Sequence, residues 1–220
     1  MRNAPLRLVI GNKRYSSWSL RPWLLLRHFD VPFEEVRLAL DTPGFTAAIG
    51  TLSPSRRVPA LHHGDLALWD SLAICEYANE QLLSGRGWPS EVAARAQARA
   101  AACEMHSGFV ALRAQLPMHV ARTPGPCLWR ADAQADIDRI QALWRWLRRA
   151  HGRGGEFLCG SFSIVDAMFA PVAIRFRGYG VACDQEIADY VGALYALPSL
   201  REWIADGVAE SERLEKYESM

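Results

Sequence analysis

The chain has 220 residues, half of them hydrophobic, which suffices for one large domain or two modest domains with a sizeable core. Its 25 basic and 24 acidic residues leave a net charge of +1, too little to attract nucleic acid or an anionic membrane. No apolar run approaches the roughly 20 residues that cross a bilayer, and the run at residues 6–10 is too short for a signal peptide. We therefore predict a cytoplasmic protein with no nucleic-acid or membrane partner.

The cysteines do not suggest a disulfide framework, because their number is odd and no two have the spacing of a CxxC motif. The missing CxxC motif also argues against a disulfide oxidoreductase. We interpret all five as small, mostly buried hydrophobes: Cys75, Cys103, Cys127, Cys159 and Cys183. His62 and His63 suggest a metal site, but no third ligand has suitable spacing, so we predict a hairpin turn there and no metal.

The first third of the chain alternates between strand and helix patterns. The helix predicted at residues 20–29 has Pro22 in its first turn, where the missing N–H costs nothing. The predicted elements, in chain order, are a strand at 6–10, the helix at 20–29, a strand at 33–40, turns and one short helix within 41–55, a hairpin of residues 58–61 and 66–69 around a turn at 62–65, and a helix at 71–83.

The remainder of the chain has an almost entirely helical periodicity. Residues 84–92 contain glycines and a proline that break the pattern, so we predict a first domain at 1–83, a linker at 84–92 and a helical domain at 93–220. Two predicted helix faces are a small-residue stripe of Ala96, Ala100, Cys103, Ser107, Val110 and Ala114, and an apolar stripe of Ile137, Ile140, Trp144 and Leu147.

Helix-capping patterns divide the helical part further. Ser163 is predicted to begin a helix, with Asp166 reaching back to the Ser163 N–H group, and Pro171 is predicted to kink that helix. Asp184 is predicted to cap the next helix, and Pro198 separates it from a last one.

Four stretches together resemble the cytosolic glutathione S-transferases of the serine type. Tyr-Ser-Ser-Trp-Ser-Leu-Arg at 15–21 resembles their catalytic loop, and Arg-Val-Pro-Ala-Leu at 57–61 resembles their Val-Pro turn. Asp-Ser-Leu-Ala-Ile-Cys-Glu-Tyr at 70–77 resembles their γ-glutamyl-binding motif, and residues 163–166 resemble the capping box of their buried helix. The third motif is closest to the zeta class and to bacterial relatives.

This resemblance implies a fold and an activity. The fold is a thioredoxin-like domain, a four-stranded mixed sheet with helices on both faces, followed by an all-helical bundle. The implied activity is glutathione transfer to a small electrophile, a detoxification reaction, with glutathione as co-substrate, no metal and a homodimer as the usual assembly. The alternatives are glutathione-dependent peroxide reduction, an isomerase of the maleylacetoacetate type and a non-catalytic binding protein of the same fold.

The resemblance assigns the catalytic hydroxyl to Ser16, which would donate a hydrogen bond to the glutathione sulfur. Ser17 is the close rival, since a shift of one residue exchanges them, and Tyr15 is a weaker one because some classes use tyrosine. Without the resemblance, Ser16 would be an ordinary loop or capping residue. Trp18 stands where the zeta pattern has cysteine, which argues against a zeta-type isomerase.

Four further residues would bind glutathione. Ser71, at a helix start, would bind a carboxylate and Asp70 the α-ammonium, although both are also ordinary N-cap residues. Val58 would present its backbone to glutathione beside a cis bond to Pro59, with a trans proline as the alternative. Arg57 would reach the glycyl carboxylate or lie free on the surface.

Further residues are candidates for the electrophile pocket. Trp18 would fill space near the thiol, and His106, Phe109 and Arg113 recur at helical spacing as an aromatic and basic stripe. That stripe would face the cleft, solvent or a dimer contact. Arg175 and Arg177 are candidates for binding an acidic substrate, but we interpret them as surface residues.

Overall fold

The computed structural model describes residues 4–218, in which a mixed α/β half precedes a helical half. The strands are β1 (Leu6–Ile10), β2 (Glu34–Arg37), β3 (Ala60–His63) and β4 (Leu66–Trp69). The helices are α1 (Ser17–His28), α2 (Pro43–Leu52), α3 (Ser71–Gln81), α4 (Val92–Ser107), α5 (Val110–Gln115), α6 (Ala131–His151), α7 (Ile164–Gly178), α8 (Gln185–Ala196), α9 (Pro198–Ala209) and α10 (Glu215–Glu218).

The four strands form one mixed sheet in the order β2-β1-β3-β4. β1 pairs in parallel with β2 and antiparallel with β3, and β3 and β4 form an antiparallel hairpin. The predicted four-stranded mixed sheet and the predicted hairpin are therefore confirmed. The turn is shorter than predicted, because His63 already pairs with Leu66 and only Gly64 and Asp65 lie between the strands. Gly64 accommodates the positive φ of 59° that this turn requires.

α1 begins earlier than the sequence pattern predicted. Its hydrogen bonds start where the Leu20 N–H donates to the Ser16 carbonyl at 3.1 Å, so Ser17 is the first helical residue. Pro22 therefore lies in the second turn and not in the first, and it cannot donate to the carbonyl of Trp18. The predicted start is wrong because polar residues such as Ser17 and Ser19 favour a loop in the sequence pattern, although both are buried in the first turn of α1.

α7 is the central helix of the bundle, and every one of its residues except Arg177 is buried. The Ser163 N–H donates to the Asp166 carboxylate at 2.9 Å, which confirms the predicted capping contact. The Asp184 side chain accepts from the N–H of Ile187 at the start of α8, which confirms that cap as well. The predicted apolar stripe of α6 is also buried: Ile137, Ile140, Trp144 and Leu147.

The predicted small-residue stripe does not face the core of this chain. Its members on α4 and α5 are all exposed: Ala96, Ala100, Cys103, Ser107, Val110 and Ala114. The residues of α4 that face the core are instead Ala94, Ala98, Ala101, Ala102 and Met105. Alanines surround this helix on all sides, so small size does not distinguish its two faces.

Residues 82–91 join α3 to α4 without a helix or strand. The boundaries 1–83, 84–92 and 93–220 stay a prediction. Within residues 4–218, no helix is both long and apolar enough to cross a membrane.

Candidate functional site

Two adjoining cavities lie where α1 and α3 begin. The serine cavity, of about 560 Å³, is lined by Ser16 and Ser17 among others. The α3 cavity, of about 550 Å³, is lined by the start of α3. Trp18, Arg57 and Val58 line both. An extended ligand can therefore occupy the two together.

Ser16 places a hydroxyl at the N-terminus of α1. Its side chain makes no capping bond to the helix, and its Oγ donates to the Oγ of Ser19 at 2.8 Å. The Ser19 hydroxyl is fully buried and accepts from the Gly11 N–H at 3.1 Å. Because hydroxyl hydrogens rotate, Ser19 can instead donate to Ser16, which frees the Ser16 proton for a ligand. Ser17 lines the same cavity as the first residue of the helix.

Tyr15 lines the serine cavity, but its hydroxyl already has partners. It donates to the carboxylate of Glu218 and accepts from the Leu214 N–H at 3.3 Å. Burial first, and then the bond to Glu218, raises the pKa of Tyr15 above its ordinary value. The geometry therefore gives Tyr15 a contact with α10 rather than with a thiol.

The N-terminus of α3 opens into the α3 cavity. Asp70, at φ 76°, accepts from the N–H groups of Leu72 and Ala73 at 2.9 and 3.1 Å. Neither bond uses the N–H of Ser71, the first residue of α3, so this N–H is available to a ligand. The second oxygen of Asp70 lies 2.9 Å from His106 Nε2.

A buried guanidinium lies behind this helix terminus. Arg21 is 1% exposed, its Nη1 lies 3.5 Å from Ser71 Oγ, and it stacks on Trp18 at 4.2 Å. Burial, followed by the proximity of Arg175 and Arg113, lowers the pKa of Arg21 to about 9, so it stays charged at neutral pH. Its charge adds to the helix dipole in favouring a carboxylate at Ser71.

The turn before β3 completes the wall between the cavities. The Val58–Pro59 peptide bond is cis, which confirms that prediction. Val58 is half-buried, whereas Arg56 and Arg57 are exposed on the rim. Both arginines line the serine cavity, and Arg57 lines the α3 cavity as well.

Comparison with known proteins identifies the architecture. Residues 15–81 match the family model of the glutathione S-transferase N-terminal domain. A Burkholderia glutathione transferase homolog with bound glutathione superposes with a TM-score of 0.71 at 22% identity, over 92% of this chain and 98% of that one.

This chain has the glutathione S-transferase fold.

Two further structures agree with this fold. The tau-class glutathione S-transferase of mango has a TM-score of 0.70 at 20% identity, over 98% of this chain and 96% of that one. A diazinon-metabolizing glutathione S-transferase of the silkworm has a TM-score of 0.73 at 14% identity, over 92% and 97%. No curated protein matches the sequence.

The four residues predicted for the electrophile pocket do not lie together, since they are divided between the two cavities and the core. Trp18 and Arg113 line the serine cavity, and His106 lines the α3 cavity. Phe109 is buried in the core and lines neither of these two cavities. The predicted stripe is interrupted because α4 ends at Ser107 and Phe109 takes a left-handed φ of 56°.

Arg175 was interpreted from the sequence as a surface residue, and this interpretation was wrong. It is 3% exposed and lines the serine cavity, whereas Arg177 is exposed and stacks on Tyr195 at 4.4 Å. Burial, followed by the proximity of Arg113, lowers the pKa of Arg175 to about 10. The signal was available in the sequence, since residues 164–174 are apolar around nearly the whole helix and a helix of that kind is enclosed.

Sequence reasoning also missed Glu210, which holds the loop that carries Ser16. Its two carboxylate oxygens accept from the backbone N–H groups of Lys13 at 2.7 Å and Arg14 at 3.0 Å. The Glu210 side chain is only 7% exposed. No local pattern indicates a contact between residues almost 200 positions apart.

Glu210→Gln is expected to lower the free energy of unfolding by roughly 1–3 kcal/mol, because the amide group that replaces one oxygen cannot accept from a backbone N–H. Urea denaturation followed by tryptophan fluorescence measures this change. Glu212→Gln is the matched control. Arg37 pairs with Glu210 at 3.5 Å and donates to Glu212 at 2.7 Å, but Glu212 accepts from neither loop N–H. Equal losses in the two variants would contradict the role given to Glu210.

Proposed function

We propose that this chain is a glutathione transferase that joins the glutathione sulfur to a small electrophile. The observation that carries the proposal is the junction of the two cavities. Ser16 lies in one, the open N-terminus of α3 lies in the other, and Val58 borders both. A tripeptide with a carboxylate at each end and a thiol in the middle matches this arrangement.

In this proposal each part of glutathione has a partner. The α-carboxylate of the γ-glutamyl residue accepts from the N–H and hydroxyl of Ser71, and its α-ammonium pairs with Asp70. The backbone of the cysteinyl residue bonds to that of Val58. The glycyl carboxylate pairs with Arg57, and the thiol reaches Ser16.

Two features of the serine cavity favour the thiolate. A free thiol has a pKa of about 8.5 and is mostly protonated at pH 7. The N-terminus of α1 stabilises negative charge, and the Ser16 hydroxyl donates to the sulfur while Ser19 donates to Ser16. The thiolate then attacks the electrophilic carbon, an S–C bond forms, and the leaving group departs with its electron pair. The thiol proton passes to solvent.

The assembly in this proposal is a homodimer. The exposed small residues of α4, such as Ala96 and Ala100, support it because they allow a partner helix to approach closely. The reaction as described uses residues of one chain.

Ser71→Ala is expected to weaken glutathione binding about tenfold, since it removes a hydrogen bond to a carboxylate while the backbone N–H remains. Isothermal calorimetry on the wild type and the variant measures this change. Ser161→Ala is the control, because Ser161 lines a separate cavity and should leave the affinity unchanged.

Three results would refute this proposal. Absence of glutathione binding by the wild type would remove the assigned ligand. Binding without transfer to any of a panel of aryl halides, epoxides and enones would favour the non-catalytic binding protein. Conversion of a cis enone to its trans isomer without net consumption of glutathione would favour the isomerase.

A further inference from the structure

The serine cavity has an excess of positive charge. Four guanidinium groups line it, those of Arg56, Arg57, Arg113 and Arg175. The one carboxylate among its lining residues, that of Asp41, is paired with Lys216. Clefts lined by charges of one sign concentrate ligands of the opposite sign.

Two of these arginines are at least half-buried and form no salt bridge within residues 4–218. The Arg175 Nε donates to the Leu116 carbonyl at 2.8 Å, but its Nη1 has no hydrogen-bond partner among residues 4–218. Arg113 is half-buried and lies over the ring of Trp18 at 5.1 Å. Asp136 lies close enough to act on its charge but forms no salt bridge with it within the described part of the chain. Buried charges in proteins are normally paired, so these two guanidinium groups lack a carboxylate that is hydrogen-bonded to them.

Glutathione does not supply that counter-ion in the proposed binding mode. Its two carboxylates are used at Ser71 and at Arg57. Arg113 and Arg175 belong to α5 and α7 of the helical half, and neither lines the α3 cavity. A carboxylate on the second substrate is therefore free to bind these two arginines in the cavity that they line.

We propose that the electrophile is an organic acid whose carboxylate binds to Arg113 and Arg175. This inference rests on the proposed function and specifies its substrate class. Apolar side chains, among them Phe45, Val110 and Met118, also line the cavity. A carboxylate on an aromatic or otherwise apolar body fits this combination better than an inorganic anion does.

The two arginines also orient this substrate. A carboxylate fixed at α5 and α7 leaves the apolar body between that end and Ser16, where the thiolate forms. The proposed reaction is a substitution in which the sulfur–carbon bond forms and a halide departs with its electron pair.

The first test measures binding without chemistry. Calorimetry compares 3,5-dinitrobenzoate with its uncharged amide, 3,5-dinitrobenzamide, on the wild type, Arg113→Met and Arg177→Met. We expect the acid to bind about 10- to 100-fold more tightly than the amide, as for a charge-assisted hydrogen-bonded pair. Arg113→Met should remove most of this preference, whereas Arg177→Met, a change to an exposed arginine outside the cavity, should preserve it. Equal affinity for the two compounds, or a preference that survives Arg113→Met, would overturn the proposal.

A second test separates this inference from the proposed function. With glutathione present, 4-chloro-3,5-dinitrobenzoate and the corresponding amide are compared by chloride release. A higher kcat/KM for the acid than for the amide, together with loss of this difference in Arg113→Met, supports both the acid site and the transferase function. Equal transfer to both compounds overturns the acid site and leaves the transferase standing. Arg113-dependent binding of the acid without any transfer supports the anion site and overturns the transferase.

Discussion

Ser16→Ala is expected to lower the turnover of glutathione transfer by about 10- to 100-fold, with the fold intact. The variant removes the hydroxyl that we propose donates to the thiolate, and a hydrogen bond to a charged group contributes roughly 1.5–3 kcal/mol. The backbone N–H groups of α1 remain, so part of the rate should persist. Steady-state kinetics at saturating glutathione measure the effect on kcat.

Ser17→Ala is the matched comparison for this prediction. Ser17 lines the same cavity, but Ser16 alone of the two has its Oγ bonded to Ser19. We therefore expect Ser17→Ala to retain most of the turnover. A large loss in Ser17→Ala, together with a normal rate in Ser16→Ala, would exchange the two roles. Normal rates in both variants would exclude a serine mechanism.

Asp166→Ala is expected to lower the free energy of unfolding by roughly 3–5 kcal/mol, because it leaves several buried donors without an acceptor. The carboxylate accepts from the N–H groups of Leu158 and Ser163, from the Ser163 hydroxyl and from the Tyr190 hydroxyl. Burial raises the pKa of Asp166 to about 6, so the group is ionised at neutral pH. Urea denaturation at pH 7 measures the loss.

Asp184→Ala is the control for Asp166→Ala, because Asp184 caps the next helix, α8. Asp184 accepts from one backbone N–H and pairs with Arg145, but it is exposed, so water can replace the missing oxygen atoms. Its loss of stability should be clearly smaller. An equal effect of the two substitutions would mean that the buried network around Asp166 adds nothing beyond an ordinary helix cap.

The sequence predicted those parts of the fold whose cause is local. Alternation of apolar residues and a glycine turn define the β3–β4 hairpin, and Ser163 with Asp166 marks the start of α7. The orientation of α4 was not predictable in this way, because Ala96 and Ala98 have side chains of equal size and only the tertiary contacts select the buried face.

The residues of the candidate site likewise fall into those that a local motif predicts and those that only tertiary contacts place. Ser16, Val58 and Ser71 lie in short motifs that the resemblance covers, and the structure brings all three to adjoining cavities. Arg175 and Glu210 act through contacts with distant parts of the chain. Their environments arise only after α7 is enclosed and the C-terminal segment lies against the Ser16 loop.

The central claim is that this protein binds glutathione with its thiol at Ser16 and stabilises the thiolate. The most direct measurement is the ultraviolet absorbance of the thiolate against pH, recorded for glutathione bound to the wild type. The account predicts that the bound thiol titrates below the value of about 8.5 for a free thiol, and that Ser16→Ala raises this pKa again. A bound thiol that titrates at or above the free value in the wild type would contradict the account.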